Sequence, residues 1–413
     1  MKVIQYTPVN NPDADIENIV NDKFVKQKPL SPFHETSVNF LSALSKEILE
    51  YPGVKVFPEL VALAFWLRKA NLSSIISPFN NKIDDSEVVV PRGVAFHIAP
   101  SNVDSIFLYS WALSLLVGNL NVVRVSQTLN EQLEILLSIL RELLHQKEWT
   151  EIKDRNIIVT YPRDEKINIY LSTRADVRIL WGGDETIKSI RVLPSKPATK
   201  DILFADKFSY TAVDASMYSS LPDEKKIQLA RNFYNDAYWF DQMACSSPRF
   251  VLFVGSEKEC EASSKAYWKF LEDELMQKGK PDTLDIAMEK LVYMYESISR
   301  TELPTLPAEL NSNKPTVLRV AKDEITKFRE TCGGGFFFEC FLNNLDELTG
   351  MVSRKDQTLG YYGFSKDELK QFASKVNGAG IDRIVPIGQA LNFAPTWDGY
   401  SLLNELSKRV SVL

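Results

Sequence analysis

The sequence is poor in the residues from which metal sites and disulfide frameworks are built. Its 413 residues include four cysteines and three histidines. The cysteines form no CxxC pair, and so few histidines leave little from which to build a metal site. We therefore expect no metal centre, and we interpret the cysteines as reduced thiols in a cytoplasmic protein.

Excess basic charge and long apolar runs are also missing. The formal net charge is -6 and the pI is near 5.4, which argues against a protein that binds nucleic acid through a basic face. The N-terminus has no apolar core followed by a small-residue cleavage site, so no secretory signal is predicted. The longest apolar run, residues 106–117, is shorter than the roughly 20 residues that span a bilayer, and it predicts a buried helix.

Strand and helix patterns alternate from residue 87 onwards. The predicted strands contain residues 88–90, 94–98, 122–125, 157–160 and 177–181, and helices are predicted over 57–72, 131–145 and 185–192. Continuously apolar strands indicate a mostly parallel sheet covered on both faces, and such sheets bind ligands at the carboxyl ends of their strands. A second unit is predicted from residue 210, with helices over 222–240, 258–277 and 283–299 and a strand over 249–255. The fold class is therefore α/β with two domains.

Cys245 is the candidate nucleophile. It lies between a predicted helix and a predicted strand and is flanked by Ala244 and Ser246. Small neighbours leave room for a substrate carbonyl, and a loop at a helix end can supply N–H groups that stabilise a thiolate or an oxyanion. The alternative is that Cys245 is a small buried apolar residue, as most free cysteines are.

Three predicted strand ends carry residues that suit ligand binding. Asn102 follows the strand over 94–98, where its amide either faces an oxyanion or caps the next helix. Arg124 ends the next strand and either holds a ribose or phosphate or is the first charged residue to reach solvent. Gly182 and Gly183 precede a helix and resemble a pyrophosphate cradle, although a turn with an acidic cap has the same pattern.

Taken in order, these segments resemble the aldehyde dehydrogenase superfamily, and specifically its LuxC-type long-chain fatty acyl-CoA reductases. The segments that carry the resemblance are HIAPSN at 97–102, VVRVS at 122–126, WGGDETI at 181–187, DQMACSSP at 241–248, DRIVPIGQAL at 382–391 and WDGY at 397–400. The resemblance implies a Rossmann-type dinucleotide-binding domain at residues 1–209, completed by a C-terminal return at 381–413. It implies a catalytic domain at residues 210–380.

The resemblance also implies roles for individual residues. Cys245 would carry the acyl group as a thioester, and Asn102 would stabilise the oxyanion. The residues expected to bind the cofactor are Arg124, Ser126, Gln127, Gly182, Gly183 and Glu330. Glu330 would match the glutamate that holds the nicotinamide ribose, although Gly334 replaces the proline of the family pattern.

Two departures from the superfamily pattern refine these expectations. Leu203 stands where hydrolytic aldehyde dehydrogenases carry a glutamate base, so water should attack the acyl-enzyme slowly. Asp206 is expected to be a solvated or helix-associated acid, and the alternative is that it reaches the site and activates water. Gln127 stands where NAD-preferring relatives carry a glutamate, three residues after the position of Arg124. A guanidinium without a nearby carboxylate favours a 2′-phosphate, so the expected cofactor is NADPH.

The expected function is therefore the NADPH-dependent reduction of a fatty acyl-CoA, or of another activated acyl group, to a fatty aldehyde. The resemblance raises an acyl-protein synthetase as a partner, whereas nucleic acid and a transmembrane segment are not expected. The alternatives are an NAD(P)-dependent aldehyde dehydrogenase and a non-catalytic acyl-carrying subunit. Acyl chain length, pathway and homo-oligomer formation stay open.

Overall fold

A computed structural model describes residues 1–100, 106–279, 282–301 and 314–413. The chain divides into two compact units. Unit 1 comprises Met1–Asp206 and Phe393–Leu413, and unit 2 comprises Lys207–Asn392. Within the described ranges, every helix is too short or too polar to cross a membrane.

Unit 1 begins with a series of strands and helices that reaches Asp206. Its strands are β1 (Lys2–Thr7), β2 (Asn11–Asp15), β3 (Glu87–Pro91), β4 (Val94–Ile98), β5 (Leu120–Arg124), β6 (Asn156–Thr160), β7 (Val177–Trp181) and β8 (Lys200–Phe204). Its helices are α1 (Ile16–Ile19), α2 (Asp22–Val25), α3 (Glu35–Glu50), α4 (Pro58–Trp66), α5 (Lys69–Asn80), α6 (Ile106–Leu116), α7 (Glu131–His145), α8 (Thr150–Lys153), α9 (Glu165–Ser172) and α10 (Asp184–Arg191).

The remaining elements follow in chain order. Unit 2 contains β9 (Phe208–Asp214), α11 (Ala215–Ser219), α12 (Asp223–Tyr238), β10 (Phe250–Val254), α13 (Glu257–Lys278), α14 (Leu284–Arg300), β11 (Thr316–Arg319), β12 (Phe336–Leu342), β13 (Asp356–Tyr362), α15 (Lys366–Val376) and β14 (Arg383–Pro386). The C-terminal return to unit 1 contains β15 (Thr396–Trp397), β16 (Tyr400–Ser401), α16 (Leu402–Glu405) and β17 (Ser407–Ser411).

The sheet of unit 1 has the strand order β2-β1-β6-β5-β4-β7-β8. Its strands β6, β5, β4, β7 and β8 are parallel, which confirms the predicted parallel sheet. The antiparallel strands β1 and β2 extend one edge and were not predicted. The chain runs from β4 outwards through β5 and β6 and then crosses back to β7, so the order reverses between β4 and β7. In open α/β sheets, ligands bind at the carboxyl ends of the strands beside such a reversal.

Helix α6 lies in the interior of unit 1, as its apolar sequence predicts. Every residue of Ile106–Leu116 is buried. The helix predicted over residues 57–72 is instead divided into α4 and α5. The side-chain amide of Asn71 donates to the carbonyl oxygen of Trp66 at 2.6 Å, so a side chain from the second helix satisfies the carbonyl that ends the first.

The sheet of unit 2 is parallel throughout, with the order β11-β12-β10-β9-β13-β14. Buried aromatic residues pack on its surface, including Phe250 and Phe338 with ring centroids 5.0 Å apart. The boundaries of the unit differ from those in the sequence-based prediction, 209/210 and 380/381. Strand β9 begins at Phe208, and β14 pairs with β13, which makes residues 381–392 part of unit 2.

The C-terminal return packs on unit 1 through the aromatic residues of the WDGY segment. The Trp397 ring lies 5.8 Å from that of Tyr109, and the Tyr400 ring lies 5.8 Å from that of Phe204. Strand β17 then pairs antiparallel with β3. Aromatic burial and strand pairing thus attach the end of the chain to unit 1.

A buried polar network connects β4, β5 and β6. The Nε2 atom of His97 lies 3.1 Å from Oδ1 of Asn121, and its Nδ1 atom lies 3.3 Å from Oγ of Ser110. The Asn121 amide in turn donates to Oδ1 of Asn156 at 2.9 Å. Burial lowers the pKa of His97 to about 4, although the hydrogen bond with Asn121 acts in the opposite direction. His97 is therefore neutral at pH 7.

Acidification should destabilise the protein through His97. The pKa of this side chain is about 4 in the folded state and about 6.5 when unfolded. The unfolded chain therefore takes up the proton first, and stability is lost as the pH falls from about 6.5 towards 4, by roughly 2 kcal/mol at pH 5. Asp236, whose pKa burial raises to about 7, acts in the opposite direction over this pH range, so the His97 contribution is measured as the difference in urea unfolding between wild type and His97→Gln at pH 7 and pH 5.

The unfolding free energy of His97→Gln relative to that of wild type should rise by roughly 2 kcal/mol from pH 7 to pH 5. His145→Gln, at an exposed position on α7, is the control and should behave as wild type. An equal change in unfolding free energy in His97→Gln and wild type would contradict the assignment.

Candidate active site

Cys245 lies in the loop of residues 239–249 that joins α12 to β10, which we call the cysteine loop. The Cys245 side chain is half-buried, whereas Ala244, Ser246 and Ser247 around it are buried. Because the loop precedes β10, it lies at the amino ends of the parallel strands of unit 2. The nucleophile candidate is thus presented from the edge opposite to the one where parallel sheets usually bind ligands.

The side-chain amide of Gln242 holds the cysteine loop from within. Gln242 is fully buried, and its Nε2 atom donates to the carbonyl oxygens of Pro248 at 2.9 Å and Phe336 at 2.8 Å. Its Oε1 atom accepts from the N–H of Gly335 at 3.0 Å. One side chain therefore satisfies three backbone groups, and it does so from a left-handed backbone conformation with φ of 64°. Such a strained conformation persists only where the surrounding contacts determine it.

The glycine loop, residues 330–335, packs directly against the cysteine loop. A Cβ atom on Gly333 would lie 2.7 Å from Sδ of Met243, and one on Gly335 would lie 2.1 Å from Oη of Tyr238. Both residues also have positive φ, of 72° and 81°. Glycine is required at both positions because a side chain would meet the cysteine loop or the end of α12 and because the backbone is left-handed.

Two serines hold the backbone on either side of the cysteine. The Ser209 hydroxyl donates to the carbonyl oxygen of Cys245 at 2.7 Å, and the Ser247 hydroxyl donates to the carbonyl oxygen of Asp236 on α12 at 2.8 Å. With Gln242, these contacts attach the loop to β9, α12 and β12. The position of the Cys245 backbone is therefore determined by long-range contacts.

The other cysteines are poor nucleophiles. Burial raises the pKa of Cys260 and Cys340 to about 12 and that of Cys332 to about 11. Since the thiolate is the reactive form, these three thiols are unreactive near neutral pH. Among the described residues, no group of three or more His, Cys, Asp or Glu side chains is arranged to hold a metal ion.

Arg124 ends β5 at the carboxyl edge of the sheet of unit 1. Its guanidinium is half-buried, donates to the carbonyl oxygen of Tyr161 at 3.2 Å and lies over the Tyr161 ring at 5.2 Å. Ser126 accepts the N–H of Thr128 at 3.2 Å, and Gln127 is exposed. Contacts with the carbonyl oxygen and the ring of Tyr161 thus orient the guanidinium. Its remaining N–H groups suit recognition of a phosphate.

The turn at Gly182 and Gly183 lies at the carboxyl end of β7, beside the reversal of strand order. Gly183 precedes α10 and provides no side-chain cap for its N–H groups. A Cβ atom on Gly183 would lie 3.3 Å from Oδ2 of Asp206, and Asp206 is exposed. Uncapped helix N–H groups at a glycine turn fit a pyrophosphate. The residues of unit 1 therefore fit a dinucleotide.

The other residues singled out in the sequence have different outcomes. Asn102 lies outside the described residues. Leu203 packs against the apolar core of unit 1. Glu330 is exposed, with its carboxylate 3.7 Å from Nη1 of Arg300, and it begins the loop whose Gly334 donates to the carbonyl oxygen of Asp241 at 2.8 Å.

Sequence reasoning missed Gln242, Ser209 and Asp236, which hold the cysteine loop in place. Only Gln242 had a local signal, because it lies within the segment that carries the nucleophile candidate. The contacts of the other two join residues that are 36 and 11 positions apart in the chain. A spacing pattern does not reveal such pairs.

Residues 67–289, more than half of the chain, match the family described as acyl-CoA reductase (LuxC). The chain belongs to the LuxC acyl-CoA reductase family. The matched region contains the cysteine loop, Arg124 and the glycine turn at 182–183, whereas Glu330 lies beyond it.

A curated relative is consistent with this family membership. A long-chain acyl-protein thioester reductase of Aliivibrio fischeri is 26% identical over 189 residues, which cover 44% of this LuxC-family chain and 37% of the relative. The match thus spans well under half of that protein's length.

Two solved structures share the fold of this LuxC-family protein. An NAD-dependent aldehyde dehydrogenase from Sinorhizobium meliloti has a TM-score of 0.67 at 14% identity, over 96% of this chain and 84% of that chain. An oxidoreductase from Marinobacter aquaeolei has a TM-score of 0.67 at 12% identity, over 100% and 94% of the two chains. The aldehyde dehydrogenase-like fold expected from the sequence is confirmed.

Gln242→Glu should destabilise this LuxC-family protein and loosen the cysteine loop. The substitution keeps the shape of the side chain but replaces the donor that faces two carbonyl oxygens with an acceptor. Leaving buried polar groups unsatisfied costs about 1–3 kcal/mol each, so we expect a loss of at least about 2 kcal/mol. Thermal unfolding measures the stability, and the rate of Cys245 alkylation by iodoacetamide should rise as the half-buried thiol becomes more accessible.

Gln277→Glu is the matched control, because Gln277 is exposed near the end of α13. It should change neither quantity. The role given to Gln242 is refuted if Gln242→Glu unfolds at the wild-type temperature and its Cys245 is alkylated at the wild-type rate.

Proposed function

We propose that this protein reduces a fatty acyl thioester to a fatty aldehyde with a nicotinamide cofactor, through an acyl-enzyme on Cys245. The observation that carries the proposal is the family match, because the matched region includes the cysteine loop. The name of the Aliivibrio fischeri relative, an acyl-protein thioester reductase, supports a thioester as substrate.

Cys245 is the group proposed to attack the thioester carbonyl. Its thiolate would form a new thioester and release the thiol of the acyl donor. Gln242, Ser209 and Ser247 hold the loop through five hydrogen bonds to backbone groups, so the sulfur is positioned before the substrate binds. We propose Asn102 as a donor to the carbonyl oxygen during this attack.

The chain's own groups would hold the cofactor at the carboxyl edge of the sheet of unit 1. We propose that the N–H groups that follow Gly182 and Gly183 hold the pyrophosphate, and that Arg124, Ser126 and Gln127 contact the adenosine ribose. We propose Glu330 for the nicotinamide ribose. A bound reduced nicotinamide would supply the hydride that converts the acyl group to the aldehyde.

Leu203 favours reduction of the acyl-enzyme over its hydrolysis. The side chain is apolar, half-buried and packed against the core of unit 1, so it offers no base at the position where hydrolytic aldehyde dehydrogenases have one. Asp206 is exposed and lies beside the glycine turn. Without a base that activates water, the acyl-enzyme should persist until it is reduced or transferred to another thiol.

Cys245→Ala should abolish acyl-enzyme formation and aldehyde production. Wild-type protein incubated with radioactive tetradecanoyl-CoA, without cofactor, should carry label that is released by hydroxylamine, as a thioester is. Gel fluorography and peptide mass spectrometry measure the label and its position. Cys260→Ala is the control, because this buried thiol lies on α13 and contacts the carbonyl oxygen of Phe253 at 3.4 Å.

The control should be labelled like wild type. If Cys245→Ala still becomes labelled and produces aldehyde, another residue is the nucleophile. If wild type takes label only from an acyl-protein thioester and not from acyl-CoA, the proposed chemistry stands and the donor is a protein.

Gln127→Glu should weaken NADPH binding and leave NADH binding nearly unchanged. The new carboxylate would lie close to the 2′-phosphate that we propose Arg124 binds. A charge-assisted contact of about 1.5–3 kcal/mol corresponds to roughly 10- to 150-fold in affinity, which fluorescence titration resolves. Arg124→Ala should have the same selective effect.

Gln146→Glu introduces the same charge at an exposed position after α7 and should leave both affinities at their wild-type values. Equal affinity of wild type for NADPH and NADH would refute the proposed preference. If Arg124→Ala weakens NADPH and NADH binding to the same extent, Arg124 is a general ribose contact or a structural residue. The cytoplasmic location and the acyl-protein synthetase partner stay predictions.

A further inference from the structure

The segment DRIVPIGQAL, at residues 382–391, carries part of the family resemblance but has no role in the proposed chemistry. It contains β14 and the start of the Gly388 loop, which we define as residues 387–392. The guanidinium of Arg383 donates to the carbonyl oxygens of Gln389, Ala390 and Asn392 at 3.1, 2.9 and 2.7 Å. Arg383 therefore holds the carbonyl side of the loop.

Asp236 holds the N–H side of the same loop. Its carboxylate oxygens accept the N–H groups of Gly388 at 2.6 Å and Ala390 at 2.9 Å. Gly388 is left-handed with φ of 96°, and a Cβ atom there would lie 2.7 Å from Cβ of Asn232. The Gly388 loop thus lies directly on α12, with the carboxylate of Asp236 in contact with its backbone.

The same residue contacts the cysteine loop through its backbone. The carbonyl oxygen of Asp236 accepts the hydroxyl of Ser247, two residues after Cys245, at 2.8 Å. Asp236 is therefore bonded to the Gly388 loop through its side chain and to the cysteine loop through its main chain. A shift of this turn of α12 would move both loops.

We propose that Asp236 is a positioning residue for Cys245, and that its ionised carboxylate holds the Gly388 loop and the cysteine loop in the arrangement that reacts. The proposal rests on the proposed role of Cys245 as the acylated nucleophile. Only an ionised carboxylate accepts both N–H groups with full strength, because a protonated carboxyl carries a hydrogen on one of its oxygens.

The surroundings of Asp236 make its ionisation sensitive to pH. Burial raises the pKa of this carboxyl to about 7, against the opposing effects of the Gly388 and Ala390 N–H groups and of Arg383 on β14. From α13, the other titratable group that faces Asp236 is the phenol of Tyr267, whose pKa burial raises well above its usual value. Tyr267 therefore stays neutral while Asp236 titrates.

Asp236→Asn tests the proposal, because the amide keeps the size of the side chain but accepts only one of the two N–H groups. The measurement is single-turnover acylation of Cys245 by excess tetradecanoyl-CoA between pH 5.5 and 8.5, expressed as the ratio of the variant rate to the wild-type rate. This ratio removes the titration of Cys245, which both proteins share. We expect it to fall from near one at pH 5.5 to about one tenth at pH 8.5.

Three further variants separate positioning from a loss of stability. Ser247→Ala keeps the carboxylate but removes its connection to the cysteine loop, so its ratio should fall with pH in the same way. The double variant should be no slower than the slower single variant. Glu339→Gln is the control, because Glu339 is equally buried in unit 2 and binds Ser264, Trp268 and Arg319; its ratio should not change with pH.

A pH-independent ratio for Asp236→Asn and Ser247→Ala, or multiplicative rates in the double variant, would overturn the proposal. Absence of label on wild-type Cys245 would instead refute the proposed function. In that case the same ratios are measured with iodoacetamide, which alkylates the thiol without any acyl chemistry. A ratio that changes with pH there supports the positioning role, and a constant ratio overturns it.

Discussion

The buried amide of Gln242 is the contact on which the local arrangement in unit 2 depends. Neither the cysteine loop nor the glycine loop has regular secondary structure, so their backbone groups need other hydrogen-bonding partners. Gln242 supplies these partners for Pro248, Phe336 and Gly335. A buried amide whose hydrogen bonds are all made costs little free energy of folding, whereas breaking those bonds would cost much. The irregular loop therefore holds its half-buried cysteine in one position.

The two units use their parallel sheets in different ways. In unit 1 the candidate cofactor residues follow β5 and β7, at the carboxyl ends of strands near the reversal of strand order. In unit 2 the nucleophile candidate precedes β10 and the glycine loop precedes β12, so both lie at the amino ends of the strands. The usual carboxyl-end rule therefore describes the proposed cofactor residues of unit 1 but neither Glu330 nor the cysteine.

Much of the fold could be predicted because its signals are local. The continuously apolar strands of unit 1, the buried helix α6 and the amphipathic helix α7 follow from the order of apolar residues alone. The prediction of one continuous helix over residues 57–72 was wrong, because the chain forms two helices there. The Asn71 amide replaces a helical hydrogen bond at the carbonyl oxygen of Trp66. Strands β1 and β2 were missed because they join the sheet only through pairing, of β1 with β6 and of β2 with β1.

The candidate site was predictable to the extent that its residues lie in short motifs. Cys245, Arg124 and the glycine pair at 182–183 occur in segments with a recognisable order of residue types. The roles of Ser209, Asp236 and the Gly388 loop depend on contacts between residues far apart in the chain, such as that between Asp236 and Gly388. No local pattern indicates which distant carbonyl or N–H group a polar side chain will meet.

The sequence by itself determined the α/β class, the candidate nucleophile and the family resemblance. It also led us to expect reduced cysteines. These properties depend on composition and on neighbours within a few residues. Only the tertiary structure decided that β14 belongs to unit 2, that three of the four thiols are kept protonated by burial, and that Asp236 contacts two loops. Burial and hydrogen-bond partners arise when distant segments pack together, and they are properties of the folded chain alone.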